Sequence, residues 1–255
     1  MNIIGIIPAR LKSTRLPEKM LIKVYGKTLI EHVYLNTLKC KTIKKIYVAT
    51  DNIKIKRVIE KINGNVIITS SKCKSGTERI CEAISKIKLN SNDIIVNIQG
   101  DEPLLEPDLI DKTVNAILKD NKCDVATLAS PIENEDEIFD PSVVKVVISH
   151  ENYALYFSRA PIPFARENFY SKKDFLLKHK GLYVYKKGIL DMWNRFESKY
   201  ENIEKLEQLR ILENGCKIRV VIAKSNSIGI DTKKDIINFK KALKNKREGR
   251  WFYGR

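Results

Sequence analysis

Features that would place a protein in a membrane or in the secretory pathway are missing from this sequence. No apolar stretch approaches the roughly 20 residues that a helix needs to cross a bilayer. The apolar run near the start ends at Pro8 and has no basic segment before it, so no signal peptide is predicted. We therefore expect a cytoplasmic protein without membrane insertion.

Paired cysteines and two common phosphate-binding signatures are missing as well. The 5 cysteines are widely separated and none forms a CxxC pair, so neither a disulfide framework nor a zinc site is predicted. The motifs GxxxxGKS/T and GxGxxG do not occur. A phosphate site in this chain must therefore depend on individual side chains and backbone N–H groups.

Basic residues, by contrast, are abundant: 47 Lys and Arg against 31 Asp and Glu give a formal net charge of +16. The lysines are spread over the whole chain and mixed with acids, and no aromatic-interleaved patch accompanies them. The densest run, 240–247, is predicted to be a solvated helix end, followed by a basic tail over 247–255. We expect no specific nucleic-acid partner, and a basic nucleic-acid-binding protein is the alternative from another class.

The first half of the chain alternates apolar runs with segments of helical spacing. Strands are predicted at 3–7, 45–50, 66–69, 93–99 and 125–129. Helices are predicted near 29–38, 54–62, 80–87 and from Pro107 onward. This βαβα order predicts an α/β fold with a mostly parallel, doubly wound sheet.

After residue 141 the pattern becomes irregular. We predict strands at 143–148, 180–185 and 218–222, a short helix or turn at 153–159 and a helix at 203–214. Loops are predicted at 160–163 and 166–178, and Thr232 is expected to cap the last helix together with Asp235. No internal repeat or linker interrupts the chain. We therefore predict one domain over 1–246 with a divergent middle section at about 141–215.

A strongly basic loop follows the first predicted strand. It places four cations beside two hydroxyls: Arg10, Lys12, Arg15 and Lys19 with Ser13 and Thr14. Open α/β sheets bind ligands at the carboxyl ends of their strands, which is where this loop begins. So many cations together favour a polyanion, best a triphosphate, over an ordinary basic surface loop.

The run from Ser75 to Arg79 leads into a predicted helix. Ser75 has the properties of an N-cap, and the N-terminus of a helix also binds anions. The segment therefore suits either an ordinary helix start or a second contact to phosphate.

Asp101 ends a predicted central strand directly after Gly100. A carboxylate there suits Mg²⁺ held beside phosphates, although a lone Asp also caps turns. Asp231, after Gly229-Ile230, provides a second carboxylate and makes a metal pair plausible.

Taken in order, these segments resemble the 3-deoxy-manno-octulosonate (Kdo) cytidylyltransferases, also called CMP-Kdo synthetases. The matching segments are 7–10, 13–17 with Lys19, 48–51, 75–79, 96–103, 145–147, 153–161, 206–210 and 229–232. The resemblance implies a nucleotide-diphospho-sugar transferase-like fold and transfer of CMP from CTP to Kdo for lipopolysaccharide biosynthesis. It also implies Mg²⁺ as cofactor and a homodimer formed partly through the middle section, which would bind the sugar as well.

The resemblance further implies a role for each matching residue. Catalysis is assigned to Lys19, Arg10 and Asp101, and nucleotide binding to Arg10, Ser13, Arg15, Lys19 and Ser75. Sugar binding is assigned to Arg79, Gln99, Arg159, His179, Tyr183, Glu207 and Gln208, and Mg²⁺ to Asp101 and Asp231. By type alone, His179, Glu207 and Gln208 also suit exposed surface positions.

Two positions depart from the family pattern. Glu18 stands where the family often has Gly, and Cys73 stands where it commonly has His. Both changes are expected to soften nucleotide contacts. Cytidylyltransferases for other acid sugars, such as sialic acid or 8-amino Kdo, share the chemistry and are the alternative within enzymes.

Overall fold

The architecture is given by a computed structural model that describes residues 1–13, 15–166 and 175–247, except for the side chains of 246 and 247. The described strands are β1 (Ile3–Ala9), β2 (Lys23–Val24), β3 (Lys27–Thr28), β4 (Lys45–Thr50), β5 (Asn65–Ile68), β6 (Ile94–Asn97), β7 (Val125–Pro131), β8 (Lys145–Ile148), β9 (Ala154–Ser158), β10 (Leu177–Lys186) and β11 (Ile218–Ile222). The described helices are α1 (Leu29–Thr37), α2 (Ile53–Glu60), α3 (Gly76–Ser85), α4 (Pro107–Lys119), α5 (Asp136–Phe139), α6 (Lys187–Met192), α7 (Tyr200–Glu204), α8 (Gln208–Glu213) and α9 (Lys233–Arg247).

The main sheet has the strand order β11-β7-β10-β6-β1-β4-β5. Strands β6, β1, β4 and β5 are parallel neighbours, and β7 is parallel to β11. Strand β10 runs antiparallel between β6 and β7, and β8 and β9 extend the sheet as an antiparallel pair. The prediction of a mostly parallel α/β sheet is confirmed.

Helices cover both faces of this sheet because its central strands are apolar on both sides. Ile7 and Val96 pack into the layer that contains α1, α2 and α4. Ile6 and Ile95, their neighbours along the strands, pack into the opposite layer with α3, α6 and α8. Burial on both faces fixes the register of β1 against β6, and so the place where each strand ends.

The last helix begins as its sequence predicts. The Thr232 N–H donates to Asp235 Oδ2 at 2.7 Å, and the Asp235 N–H donates to Thr232 Oγ1 at 3.3 Å. This reciprocal cap confirms the predicted role of Thr232 and holds the chain directly after Asp231. The cluster at 240–247 lies in the last turns of α9, whereas 248–255, most of the predicted tail, lies outside the described residues.

Two predictions for the middle section were wrong. The segment 153–159 is not a helix or turn: its residues 154–158 form β9, which pairs antiparallel with β8 across a connection of five residues. The hydrogen bonds to β8 outweigh the local spacing that suggested a helix. The helix predicted over 203–214 is broken into α7 and α8 at Lys205, whose φ is 54°. Of the loop predicted over 166–178, the residues 167–174 lie outside the described part of the chain, and 177–178 belong to β10.

No helix among the described residues is both long enough and apolar enough to span a membrane.

Candidate active site

A cleft of about 380 Å³ opens beyond the carboxyl ends of β1 and β6, which we call the main cleft. Ten of the residues singled out from the sequence line it: Arg10, Ser13, Arg15, Lys19, Ser75, Arg79, Gln99, Asp101, Glu207 and Asp231. The strand ends gather these residues from positions more than two hundred residues apart. The main cleft therefore lies where an open α/β sheet binds its ligands.

Lys19 is a buried cation in the lining of the main cleft. Its ammonium donates to Asp101 Oδ2 at 2.8 Å and to Asp231 Oδ1 at 2.9 Å, and the residue is only 7% exposed. Burial lowers the pKa of Lys19, but the charges and hydrogen bonds of the two carboxylates outweigh burial and raise it above its usual value. The ammonium therefore stays charged at neutral pH. Arg15 adds a second cation to Asp231 at 3.1 Å.

The two carboxylates are held by backbone contacts between the segments that carry them. The Ile230 N–H donates to the Asp101 carbonyl at 2.9 Å, and the Asp231 N–H donates to Asp235 Oδ2 at 3.0 Å. A methyl group at Gly100 would approach the Pro8 carbonyl oxygen to 2.9 Å. Glycine at position 100 therefore allows the turn before Asp101 to lie against the end of β1.

The opposite wall of the main cleft is basic and includes a helix N-terminus. Ser75 caps α3 by accepting a hydrogen bond from the Glu78 N–H at 3.2 Å, and Gly76 follows it in the lining. Arg10 and Lys12 are exposed and line the same space. The N-terminus of α3 and the exposed cations that line the same cleft suit a phosphate chain.

Arg79 lines the main cleft but is already engaged by protein groups. Its guanidinium donates to Thr69 Oγ1 at 2.5 Å and to Asp51 Oδ2 at 3.3 Å, and the residue is 3% exposed. Asp51 directly follows β4, and Thr69 directly follows β5. The two contacts of Arg79 therefore tie the ends of these neighbouring strands to α3. The contacts give Arg79 a fixed position at the edge of the cleft.

Gln99 lines the main cleft and contacts Gly181, which lines a second cavity of about 650 Å³. Its Nε2 donates to the Gly181 carbonyl at 3.1 Å, and a methyl group at Gly181 would come within 2.8 Å of Gln99 Cγ. Glu102 lines the second cavity and accepts a hydrogen bond from the Ser227 hydroxyl at 2.8 Å. Burial, and then the charge of Asp101, raises the pKa of Glu102.

His179 lies in the second cavity and not in the main cleft. Its ring packs edge-on against Phe157 and beside Tyr183, with centroids 5.2 and 5.1 Å away. Thr127 Oγ1 donates its one proton to the Leu182 carbonyl, so it accepts the Nε2–H of His179 at 2.9 Å. This tautomer makes Nδ1 the acceptor of the ring. Burial, followed by the charge of Lys180, lowers the pKa of His179 to about 3.

The low pKa of His179 predicts a pH dependence of stability. The unfolded chain, with a His pKa of about 6.5, takes up a proton before the folded protein does, so the free energy of unfolding falls as the pH drops from about 6.5 towards 3. Between these two pKa values, His179 alone lowers the free energy of unfolding by up to about 1.4 kcal/mol for each pH unit. In urea titrations at about pH 7 and about pH 5, His179→Gln should lose less stability between the two conditions than the parent protein. Equal losses would contradict the buried neutral ring.

Three other residues assigned to the sugar lie away from the lining of the main cleft. Tyr183 is 8% exposed and stacks on Tyr185, with ring centroids 5.7 Å apart. Gln208 is 4% exposed at the start of α8. The Arg159 guanidinium donates to the backbone carbonyls of Pro141 at 2.8 Å and Glu204 at 2.8 Å. Arg159 thereby holds the break between α7 and α8.

Glu18, one of the two departures, has a backbone role that explains the frequent glycine of the family. Its φ of 49° and ψ of 31° lie in the left-handed region, where glycine is favoured. Its carboxylate pairs with the exposed Lys54 at 2.9 Å and does not line the main cleft. Glu18 instead lines a smaller neighbouring pocket with Arg10, Lys12 and Ser13, so its acid lies beside the basic loop but outside the main cleft.

A matched pair of substitutions isolates this backbone effect. Glu18→Gly and Glu18→Ala both lose the Lys54 pair, but only Ala keeps the left-handed strain. We expect the Gly variant to exceed the Ala variant by about 1 kcal/mol in the free energy of unfolding, with equal turnover in both. Chemical denaturation measures the difference. An Ala variant as stable as the Gly variant would contradict the left-handed conformation.

Cys73, the second departure, does line the main cleft. Its thiol donates to Glu82 Oε2 at 3.1 Å, and Glu82 also accepts the Ser70 N–H at 2.9 Å. Burial, and then the contact with Glu82, raises the pKa of Cys73, so it remains a thiol at neutral pH. As predicted, all five cysteines are free.

Several functional neighbours were not predicted. Lys74 lines the main cleft next to the Ser75 cap, and its position directly before an N-cap was an available signal. Asp51 lies in the segment 48–51 that resembles the family, and an acid directly after a predicted strand was an available signal for a partner of Arg79. Thr127, which orients His179, gives no signal in the sequence because its pairing depends on the alignment of β7 and β10.

The fold and this site together define a class of protein. A mostly parallel α/β sheet carries, at one edge, a basic loop, a helix N-terminus and two carboxylates that share a lysine, as transfer of a phosphate-linked group requires. Such an arrangement is that of a nucleotidyltransferase.

Comparisons with known proteins identify the family. Residues 4–218 match the family model described as Cytidylyltransferase, and the chain belongs to that family. It is 44% identical over 252 residues to the 3-deoxy-manno-octulosonate cytidylyltransferase of Thermodesulfovibrio yellowstonii, covering 95% of this chain and 98% of the relative. The resemblance predicted from the motifs is confirmed.

Two further matches bear on the substrates. The chain is 41% identical over 239 residues to the 8-amino-3,8-dideoxy-manno-octulosonate cytidylyltransferase of Shewanella sp. (strain W3-18-1), covering 92% of this chain and 96% of the relative. A solved structure of CMP:2-keto-3-deoxy-manno-octonic acid synthetase complexed with CTP has a TM-score of 0.90 and 34% identity. That match covers 96% of this chain and 100% of that chain.

Proposed function

We propose that this protein transfers CMP from CTP to Kdo and forms CMP-Kdo and pyrophosphate, a step of lipopolysaccharide biosynthesis in the cytoplasm. The observation that carries the proposal is the shared placement of Lys19, Asp101 and Asp231 opposite a basic wall, in a chain of the cytidylyltransferase family. The named relatives and the CTP-bound neighbour support the choice of both substrates.

The reaction forms one bond and breaks one. The anomeric oxygen of Kdo bonds to the α-phosphorus of CTP, the bond between that phosphorus and the oxygen of the leaving pyrophosphate breaks, and the hydroxyl proton passes to solvent. Arg10, Arg15 and Lys19 neutralise the charge that grows on the phosphates, while Ser13 and the capped start of α3 at Ser75 fix the triphosphate. The protein therefore acts mainly by positioning and by charge.

Asp101 and Asp231 are the residues proposed to hold Mg²⁺. Their oxygens are of the type that Mg²⁺ prefers, and two carboxylates are enough when phosphates supply further ligands. Within the described residues, no group of three or more acidic, His or Cys side chains is placed to hold a metal ion. When bound, Mg²⁺ would neutralise phosphate charge and lower the pKa of the attacking hydroxyl.

Kdo is proposed to enter beside Gln99, Arg79 and Glu207, which line the main cleft on the side of the middle section. His179, in the second cavity, and Tyr183, whose ring packs beside it, lie on the neighbouring strand β10. The sugar of the Shewanella relative makes 8-amino Kdo the second candidate substrate. The acidic Glu207 in the lining would suit its ammonium group.

A homodimer formed through 141–215 also belongs to this proposal. Leu155, Tyr200 and Ile203 lie in this section and are 60%, 50% and 75% exposed. Apolar surface of this kind favours burial against a partner. Light scattering of the purified protein measures its mass directly, and a monomer at all concentrations would contradict the dimer.

The experiment that tests the function is a substrate panel. Purified protein with Mg²⁺ receives each of the four nucleoside triphosphates and, in turn, Kdo, 8-amino Kdo and sialic acid, and pyrophosphate release is followed. We expect release with CTP and Kdo above all other pairs. Faster release with 8-amino Kdo would favour the second candidate, and release with none of the sugars would contradict the proposed class of acceptor.

A further inference from the structure

The Lys19 ammonium lies in the space between the two carboxylates that are proposed to hold the metal. It is 2.8 Å from Asp101 Oδ2 and 2.9 Å from Asp231 Oδ1. Mg²⁺ binds carboxylate oxygens at about 2.0–2.1 Å, so an ion shared by these oxygens would lie almost against the ammonium. Like charges at such a distance repel strongly where little water separates them. The ammonium and a metal ion therefore compete for these two oxygens.

The carboxylates do not depend on Lys19 for their positions. The segments that carry them are joined by the hydrogen bond from the Ile230 N–H to the Asp101 carbonyl at 2.9 Å. Asp231 is held independently by the cap of α9, through Asp235 at 3.0 Å. The pair would therefore stay in place if the Lys19 side chain moved or were removed.

The same cleft offers Lys19 a second set of partners. The side chains proposed to grip the triphosphate, Arg10, Ser13 and Ser75, line the cleft together with Lys19. A triphosphate among them would attract the ammonium away from the carboxylates, because its charge is larger and its oxygens are strong acceptors.

We infer that Lys19 competes with the divalent cation for Asp101 and Asp231, and that it releases them when a nucleoside triphosphate takes its ammonium. Metal and nucleotide then strengthen the binding of each other by the same factor, as linkage requires. The inference rests on the proposed function, since the triphosphate is the ligand that moves Lys19. Lys19 thereby restricts tight metal binding to the protein that already holds the nucleotide.

Binding of Mn²⁺ tests the competition without any turnover. Free Mn²⁺ is measured by electron paramagnetic resonance for the parent protein, Lys19→Met, Lys19→Gln and Asp101→Asn, each with and without α,β-methylene-CTP. Lys187→Met is the matched control, because it also removes an ammonium from a carboxylate, at 2.7 Å from Asp191, outside the main cleft. Thermal unfolding and calorimetry of the nucleotide analogue confirm that each variant is folded and binds it.

Without nucleotide, we expect both Lys19 variants to bind Mn²⁺ about tenfold more tightly than the parent protein and the Lys187 control. Saturating analogue should tighten Mn²⁺ binding in every protein, because its phosphates supply ligands, and it should do so about tenfold more strongly in the parent protein than in the Lys19 variants. Unchanged Mn²⁺ affinity in both Lys19 variants would overturn the competition. If Asp101→Asn lost Mn²⁺ binding in the same experiment, the metal site in the proposed function would still be supported. Absence of Mn²⁺ binding in every protein, even with analogue bound, would overturn both.

Discussion

Replacing Lys19 by Ala should lower turnover by about a thousandfold while leaving the protein folded. The ammonium is the one buried cation among the residues proposed to contact the phosphates, and the exposed Arg10 and Arg15 cannot take its place. Turnover is measured as pyrophosphate released from CTP and Kdo at saturating substrate, so that a change in KM does not hide the loss in kcat.

The fold should survive this substitution because both carboxylates reach solvent. The side chains of Asp101 and Asp231 are 31% and 41% exposed, and Arg15 still pairs with Asp231. Lys187→Ala is the control for removal of a lysine from an ion pair and should keep full activity. Near-normal turnover of Lys19→Ala would contradict the role proposed for the ammonium.

Asp101→Asn should lower turnover by about a hundredfold and raise the Mg²⁺ concentration needed for half-maximal activity. The amide keeps the size of the side chain but loses the charge that attracts a divalent ion, and Asp231 alone remains as a carboxylate ligand. A Mg²⁺ titration of activity at saturating CTP and Kdo measures both effects.

The neighbouring acid provides the control for Asp101. Glu102 follows it directly but lies in the second cavity, bonded to the Ser227 hydroxyl. Glu102→Gln should leave the Mg²⁺ titration close to that of the parent protein. An unchanged titration for Asp101→Asn, or equal shifts for both variants, would argue against Asp101 as the metal residue.

The parallel core and the position of the main cleft could be predicted from the sequence because local patterns determine them. Ile3–Ala9 and Ile94–Asn97 are short apolar runs buried on both faces, and each ends directly before the polar residues of the cleft. Strand ends in a parallel sheet share one edge, so Arg10 and Asp101 were expected near each other before any coordinates.

Contacts between distant segments could not be predicted in the same way. Asp101 and Asp231 share Lys19 because the segment after β11 returns to the end of the sheet. No local sequence pattern encodes this return. The break at Lys205 depends on Arg159, which is far away in sequence. Such non-local contacts override local propensity in the middle section.

The most direct test of the account is the phosphorus NMR spectrum of CTP and Kdo incubated with the enzyme and Mg²⁺. We predict that the three CTP signals give way to one phosphodiester signal and one pyrophosphate signal in equal molar amounts, and that CTP persists when Kdo is omitted. Pyrophosphate formed with CMP in the absence of sugar, or CTP left intact with Kdo present, would contradict transfer of CMP to the sugar acid.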